Sequence, residues 1–316
     1  MPANAVTAKK AKKPKMPASR KIFIICMLAY PVLHFLIFWG YVNIDTVILS
    51  IQKFSILEGK ETFVWFENYA RFFEDWSLST SQTLKYAIVN SIGFLIFNNF
   101  ILLPISIVCA YLLFKKVLGY QVFRVIFFLP SIISAVVLTM AFSFMFNTQF
   151  GIVVKLLRDL KLDFLIPANG FLGTKGVAQR MIYLYCLWAG IGYNVLLLSG
   201  AISRVPEEIL EAGKIDGIGM TRELFQVIVP LIFPTISTLF IMGSMVMFTL
   251  FLQPMLLTQG GPNGSTYTIA YYIVDLVNNN KIYEAASVGI LFSVVGIPIV
   301  QFIKWFMEKI TPQVEF

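Results

Sequence analysis

The composition of this 316-residue chain excludes an ordinary soluble protein. Hydrophobic residues make up 58% of it and charged residues only 13%, with a net charge of +8 and a mean hydropathy of +0.77. Soluble domains are roughly 45–50% apolar, and about a quarter of their residues are charged. We therefore expect an integral membrane protein.

Six apolar stretches are long enough to cross a bilayer, which takes roughly 20 apolar residues in a helix. They are 22–42, 86–114, 125–146, 181–203, 227–257 and 285–307. The first lacks the short apolar core and the small-residue cleavage site of a signal peptide, so it is interpreted as a true span. The prediction is an all-α membrane protein with six transmembrane helices.

The positions of Lys and Arg predict the orientation, because these residues concentrate in cytoplasmic segments. With the N-terminus inside, the inside segments carry the whole net charge of +8 and the outside segments are neutral. Both termini are therefore predicted to be cytoplasmic. Residues 1–21 are interpreted as a basic tail held against anionic membrane lipid, with no nucleic acid as partner. Residues 22–316 are interpreted as one transmembrane domain.

The first predicted outside loop, 53–83, is rich in aromatic and acidic residues. Its large aromatic residues recur at helical spacing, which predicts a short interfacial helix. They are Trp65, Phe66, Tyr69, Phe72, Phe73 and Trp76.

Several kinds of membrane chemistry are missing from the predicted spans. Apart from His34 and Lys304, the latter near a helix end, the spans contain no charged residue or histidine. Ion-coupled transporters normally place such residues at depth, and membrane hydrolases need a nucleophile with its base, or a metal cluster. No catalytic residue and no metal site are predicted. An ion-coupled secondary transporter or channel is the alternative interpretation, and a membrane enzyme is a third.

An ATP-binding loop is missing as well. The glycine-containing segments lack the GxxxxGKS or GxxxxGKT spacing that wraps phosphates. We therefore expect no cofactor on this chain, and energy for transport would come from another polypeptide.

Residues 204–230 form a charged segment between the fourth and fifth predicted spans. Pro206 suits the start of a helix, Gly217 allows a sharp reversal after it, and Thr221 is predicted to cap a second helix. Three acids occupy the half of the first helix where the helix dipole favours negative charge: Glu207, Glu208 and Glu211. A helix of two turns is not stable alone, which favours a surface for a partner over a plain connecting loop.

The same segment contains a spaced pattern of six residues: Glu211, Ala212, Asp216, Gly217, Phe225 and Pro230. It resembles the EAA loop of the membrane subunits of bacterial ABC importers for carbohydrates, of the maltose and glycerol-phosphate permease type. Gly213, Ile218 and Val229 depart from that family's pattern. A Gly-Gly-Pro sequence within 256–273 resembles the outside segment that follows the family's fifth span, and the likeness extends over most of the chain.

The resemblance implies a non-catalytic permease subunit of an ATP-driven importer of sugars or oligosaccharides, in the bacterial plasma (inner) membrane. A second permease subunit would complete a heterodimer, and an extracytoplasmic sugar-binding protein would dock at the outside loops, with Gly260, Gly261 and Pro262 as candidates. Two cytosolic ATPase subunits would bind ATP and Mg and receive a coupling helix. The implied coupling residues are Glu207, Glu208, Glu211, Ala212, Gly213, Asp216 and Gly217.

The resemblance also implies where a sugar would pass. Family positions that contact sugar fall on Ser131, Ala135, Cys186, Gly190, Tyr193, Gly243 and Met247, of which only Gly190 and Tyr193 keep the expected residue. Asn98, Asn99 and Gln253 are further polar candidates within the spans, with interhelical hydrogen bonding as the alternative. The predicted pathway is therefore Tyr193, Gly190, Ser131, Asn98, Asn99 and Gln253. Whether this subunit or its partner holds the sugar stays open.

Overall fold

The computed structural model describes residues 17–55, 59–77 and 82–311, and within them the chain is almost entirely helical. The helices are α1 (Ala18–Ser50), α2 (Glu67–Ser77), α3 (Gln82–Phe114), α4 (Tyr120–Ile132), α5 (Ala135–Met145), α6 (Ile152–Asp159), α7 (Val177–Ile202), α8 (Glu207–Ile215), α9 (Met220–Leu231), α10 (Phe233–Thr249), α11 (Leu252–Thr258), α12 (Ile269–Asn278) and α13 (Ile282–Ile310). A 3-10 turn (Asp163–Leu165) and a single α-turn (Gly170–Gly173) precede α7. The strands β1 (Gln52–Ser55) and β2 (Lys60–Phe63) pair antiparallel.

Apolar helices occur at all six stretches that the sequence predicts as spans, but only four of them are single long helices. Among the described residues, α1, α3, α7 and α13 are each long and apolar enough to cross a membrane. The other two stretches are bent pairs: α4 and α5 meet at 113°, and α9 and α10 meet at 77°. The described chain therefore has four candidate spans, or up to six if each bent pair is one span.

Two helices are widened just before a proline. In α3 the π-helical turn Asn98–Leu102 precedes Pro104, and in α9 the π-helical turn Glu223–Ile228 precedes Pro230. A proline lacks an N–H, and its ring crowds the carbonyl four residues earlier. The wider turn moves that carbonyl aside, so the helix can continue toward the proline.

The described chain divides into two units, one ending at residue 49 and one beginning at residue 50. The first unit consists of α1 up to Leu49, a continuous helix that contains Pro31 and a π-helical turn at Phe35–Tyr41. Residues 1–16 of the predicted basic tail lie outside the described residues, so the predicted boundary after residue 21 stays a prediction.

The first predicted outside loop contains a hairpin as well as a helix. The two strands pair from Gln52 opposite Phe63 to Ser55 opposite Lys60, and α2 begins four residues after the second strand. The aromatic spacing therefore indicates a helix correctly for 67–77 and misses the hairpin. Strands of four residues are too short to give a clear periodic signal.

The second unit is built around α3, α7 and α10. Buried apolar side chains from all three helices, among them Leu102, Val195 and Leu239, belong to one cluster. Glycines let the helices approach closely: a Cβ at Gly192 of α7 would collide with the carbonyl oxygen of Phe127 in α4. This packing brings polar residues of three helices to one place inside the bundle.

Candidate functional sites

The helix α8 lies between α7 and α9 in the chain and presents its charged face to solvent. Pro206, with extended backbone angles, immediately precedes it, and Leu210 and Gly213 are its buried positions. The other predicted coupling residues are exposed: Glu207, Glu208, Glu211, Ala212, Asp216 and Gly217. Ile215, at the last turn, is 87% exposed although it is a large apolar residue.

A glycine terminates α8. The N–H of Ile218 donates to the carbonyl of Gly213, and the N–H of Gly217 donates to the carbonyl of Lys214, both at 3.1 Å. These two bonds form a Schellman motif, which needs a left-handed residue at the position after the cap. Gly217 is that residue, with φ of +67°.

Gly213 and Ile218, two residues that depart from the EAA pattern, lie against each other. A Cβ added at Gly213 would lie 2.6 Å from Cδ1 and 3.1 Å from Cγ1 of Ile218. The side chain of Ile218 therefore occupies the space that an alanine at position 213 would need. A hydrophobic contact between these two positions is a regular part of the Schellman motif.

The start of α9 differs from the prediction. Gly219 stands at the N-cap with no side-chain hydrogen bond, and the helix already begins at Met220. The predicted cap at Thr221 is therefore wrong, because Thr221 lies inside the first turn. Farther along, Leu224 and Ile228 are buried, whereas Phe225 of the EAA pattern is exposed.

A buried ion pair joins α9 to the end of α3. Lys115 Nζ lies 2.6 Å from Oε1 and 2.7 Å from Oε2 of Glu223, whose side chain is only 6% exposed. The Tyr111 hydroxyl donates to the carbonyl of Met220 at 3.2 Å. The residues that follow α8 are thus tied to α3 at two points.

Helices α3, α7 and α10 line an open cavity of about 210 Å³. Its lining includes Asn98, Leu102, Leu103, Gly190, Tyr193, Asn194, Leu239, Met242, Gly243 and Val246. Three residues of the predicted pathway, Asn98, Gly190 and Tyr193, are therefore brought together there. The polar groups of the lining are the amides of Asn98 and Asn194 and the hydroxyl of Tyr193, a set that can bind a neutral ligand by hydrogen bonds.

The other predicted pathway residues do not line this cavity. Asn99 is buried and donates to Ser244 Oγ of α10 at 2.8 Å, which is an interhelical hydrogen bond. Ser131 lies on α4 and donates to the carbonyl of Phe128 at 2.7 Å. Gln253 is half-buried on α11.

The predicted docking segment of Gly260, Gly261 and Pro262 is folded against the bundle. Gly260, with φ of +77°, lies beneath the ring of Tyr267, where a Cβ would collide. Asn90 of α3 holds the segment after it by donating to the carbonyls of Ser265 at 2.8 Å and Tyr267 at 2.9 Å.

The exposed surface of this loop comes from residues near Gly260 and not from Gly260 itself. Asn263, in the turn after Pro262, is exposed, whereas Gly260 is buried. Burial, together with the carboxylate of Asp275, raises the pKa of the Tyr267 hydroxyl above its usual range. This hydroxyl therefore stays protonated and remains a hydrogen-bond donor at neutral pH. No group of three or more His, Cys, Asp and Glu in the described part of the chain is arranged to hold a metal ion.

Residues 102–315 match the family described as binding-protein-dependent transport system inner membrane component. The chain belongs to this family. It is accordingly a multi-pass protein of the bacterial inner membrane.

Relatives of this inner membrane component are transport proteins. This chain is 30% identical over 246 residues to the probable ABC transporter permease protein YurN of Bacillus subtilis. The match covers 77% of this chain and 81% of the relative. The chain is 27% identical over 279 residues to the multiple sugar-binding transport system permease protein MsmF of Streptococcus mutans, covering 88% and 92%.

A solved structure shares the fold. It is a bacterial alginate ABC transporter in complex with an alginate pentasaccharide-bound periplasmic protein. Its matching chain has a TM-score of 0.79 at 19% identity, over 93% of this chain and 96% of the other.

Sequence reasoning missed four residues at the sites of this inner membrane component. Asn194 directly follows Tyr193 in a predicted span, and its polar side chain was a usable signal. Ile215, an apolar residue beside three acids, was also visible as an anomaly. The partnership of Lys115 with Glu223 had no local signal, because 108 residues separate them.

Proposed function

We propose that this chain is the non-catalytic permease subunit of an ATP-driven importer of sugars or oligosaccharides. The observation that carries the proposal is α8, a nine-residue helix between α7 and α9, with three exposed carboxylates and a glycine-terminated end. The chemistry of the named relatives supports a carbohydrate substrate, since MsmF is described as a multiple sugar-binding system and the solved relative binds alginate with its periplasmic protein.

The proposed role of α8 is to dock on a cytosolic ATPase subunit. Protein interfaces commonly centre on a buried apolar anchor within a polar rim. Ile215 would be the anchor, and Glu207, Glu208 and Glu211 would form the rim and pair with basic residues of the partner. Two ATPase subunits would bind ATP and Mg, and their closure would move α8.

The Schellman motif and the Lys115–Glu223 pair suit this role, because they make α8 and α9 stiff. A rigid connection would pass a displacement of α8 on to α9 and α3. We propose that the membrane part has six spans with both termini inside, which puts α8 on the cytoplasmic face. A second permease subunit would complete the heterodimer, and a sugar-binding protein would dock on the outside around Gly260, Gly261 and Pro262.

The cavity between α3, α7 and α10 is the proposed wall of the sugar pathway. Pockets that enclose a drug-sized ligand measure about 300–1,000 Å³, so a cavity of about 210 Å³ is too small to enclose an oligosaccharide. This subunit would therefore contribute the Tyr193 ring and the two asparagine amides, and the second permease subunit would supply the facing wall.

The test is a charge reversal on α8 in the complex reconstituted with its ATPase, partner permease and binding protein. Glu211→Lys should abolish substrate-stimulated ATP hydrolysis, because it reverses a charge at the proposed contact. Glu308→Lys on α13, an exposed acid outside α8 and outside the predicted outside loops, is the matched control and should leave hydrolysis unchanged. Normal hydrolysis and uptake with Glu211→Lys would refute the coupling role. The glycans retained by the cognate binding protein would identify the sugar class.

A further inference from the structure

A second cavity lies where the end of α3, the start of α4 and the end of α7 meet. It measures about 510 Å³ and has a polar side and an apolar side. We call the lining residues Lys116, Tyr120 and Arg124 the polar side, and Phe114, Phe128 and Leu196 the apolar side; Ser199 and Ser203 of α7 add hydroxyl groups to the lining. The chain runs from the end of α7 into α8, so this cavity belongs to the same end of the bundle as the coupling segment.

The two cations of this cavity have no acidic partner. In the described ranges, neither Lys116 nor Arg124 has a carboxylate within 4.0 Å, whereas the adjacent Lys115 is paired with Glu223. The left-handed backbone of Lys116, with φ of +52°, belongs to the Schellman motif that ends α3, in which the N–H of Val117 donates to the carbonyl of Leu112 and the N–H of Lys116 to that of Leu113. Two unpaired cations beside one cavity favour an anionic ligand.

The apolar side of the cavity lies along membrane helices. Phe128 and Leu196 belong to α4 and α7, and Gly200 leaves open space, since a Cβ there would meet no atom within 4 Å. Leu118, at the tip of the turn between α3 and α4, is fully exposed, as suits a residue that dips into the membrane surface. The ligand therefore needs an apolar part that continues from its charged part.

We propose that this cavity binds an anionic phospholipid, with its phosphate between Lys116 and Arg124 and the start of an acyl chain along Phe128 and Leu196. Basic pockets between membrane helices are suited to anionic headgroups. A free phosphate would match the charges and leave the apolar side empty, and an acidic peptide would do the same. The proposal rests on the family's place in the membrane and not on the sugar or coupling roles.

The test measures lipid binding to the full permease in its assembled complex, purified in detergent, by native mass spectrometry. The probes are dioctanoyl phosphatidylglycerol and, as a zwitterionic comparison, dioctanoyl phosphatidylcholine. Lys116→Gln with Arg124→Gln should weaken phosphatidylglycerol binding roughly 30-fold, at the strength expected of two basic residues near a membrane surface. Lys155→Gln with Lys161→Gln removes the same charge at exposed positions outside the cavity and should change nothing.

A second variant tests the apolar side without touching the charges. Gly200→Leu fills open space on α7, and leucine suits a helix better than glycine, so the variant should fold. It should lower phosphatidylglycerol binding at least tenfold, and the recovery of assembled complex checks the folding of every variant.

Three results would overturn the proposal. Equal phosphatidylglycerol binding by the wild type and the double charge variant would show that the cavity is not the lipid site. Unchanged binding by Gly200→Leu, with full competition by inorganic phosphate, would indicate a site for a free anion. Binding by the isolated chain but not by the complex would show that a protein partner covers the cavity. No sugar or ATP is present in these measurements, so a negative outcome leaves the proposed transport function untouched.

Discussion

Replacing Lys115 by methionine should destabilise the permease more than replacing its partner Glu223 by glutamine. Lys115 Nζ lies 2.6 and 2.7 Å from the two carboxylate oxygens of Glu223, whose side chain is 6% exposed. Removing one member of a buried ion pair costs roughly 3–5 kcal/mol, because the other charge stays buried without compensation. The Lys115 side chain is itself 20% exposed, so water can partly solvate Glu223 once the lysine is removed. We therefore expect Lys115→Met to lower the free energy of unfolding by about 3 kcal/mol.

The partner substitution should cost less. Glu223→Gln leaves no buried carboxylate, and the ammonium group of Lys115 can reach solvent, so the loss is that of one charged hydrogen bond, about 1.5–3 kcal/mol. Replacing both residues by methionine should recover most of the stability, because an apolar pair in place of a buried ion pair is often neutral. The expected order of stability is therefore wild type, close to the double variant, then Glu223→Gln, then Lys115→Met.

The assay is unfolding of the purified permease in mixed detergent micelles, followed by tryptophan fluorescence. Lys155→Met, at an exposed lysine of α6, is the matched control and should unfold like the wild type. If Lys115→Met unfolds like this control, the pair contributes nothing to stability. If the double variant is as unstable as Lys115→Met, the cost comes from lost packing of the lysine stem and not from an unpaired carboxylate.

Three further changes follow from the local geometry. Gly217→Ala should weaken the end of α8 by about 1–2 kcal/mol, because its φ is +67°; unchanged amide exchange in α8 would contradict this. Gly213→Ala should stabilise α8 by about 0.5–1 kcal/mol only when it is combined with Ile218→Ala, because the smaller side chain removes the collision between the new Cβ and Ile218. Amide exchange of the two single variants and the double variant measures this, and additive effects would count against the contact. Tyr193→Ala should raise the KM for uptake about tenfold, as for the loss of one aromatic anchor, while ATP hydrolysis without substrate stays normal; an unaltered KM would remove Tyr193 from the pathway.

The local features of this chain could be predicted from its sequence. Span positions follow from runs of apolar residues, because a helix that crosses lipid must satisfy its backbone internally and show apolar side chains all round. The position and the end of α8 follow from Pro206 and Gly217, because helix starts and left-handed caps depend on residues within one turn. The hairpin at 52–63 and the start of α9 were missed, since short strands and a glycine cap give weak signals.

The features that depend on distant residues could not be predicted. Asn98 and Asn99 are adjacent in sequence, yet one lines the cavity and the other bonds to Ser244 of α10, because successive residues of a helix point about 100° apart. The sequence by itself determined which segments are helical, which are apolar enough for lipid and where the charged helix between them begins and ends. Only the tertiary structure decided that Lys115 meets Glu223, and which polar residues share a cavity. Backbone hydrogen bonding and hydropathy act within a segment, whereas side-chain partners far apart in the chain are chosen by how the helices pack.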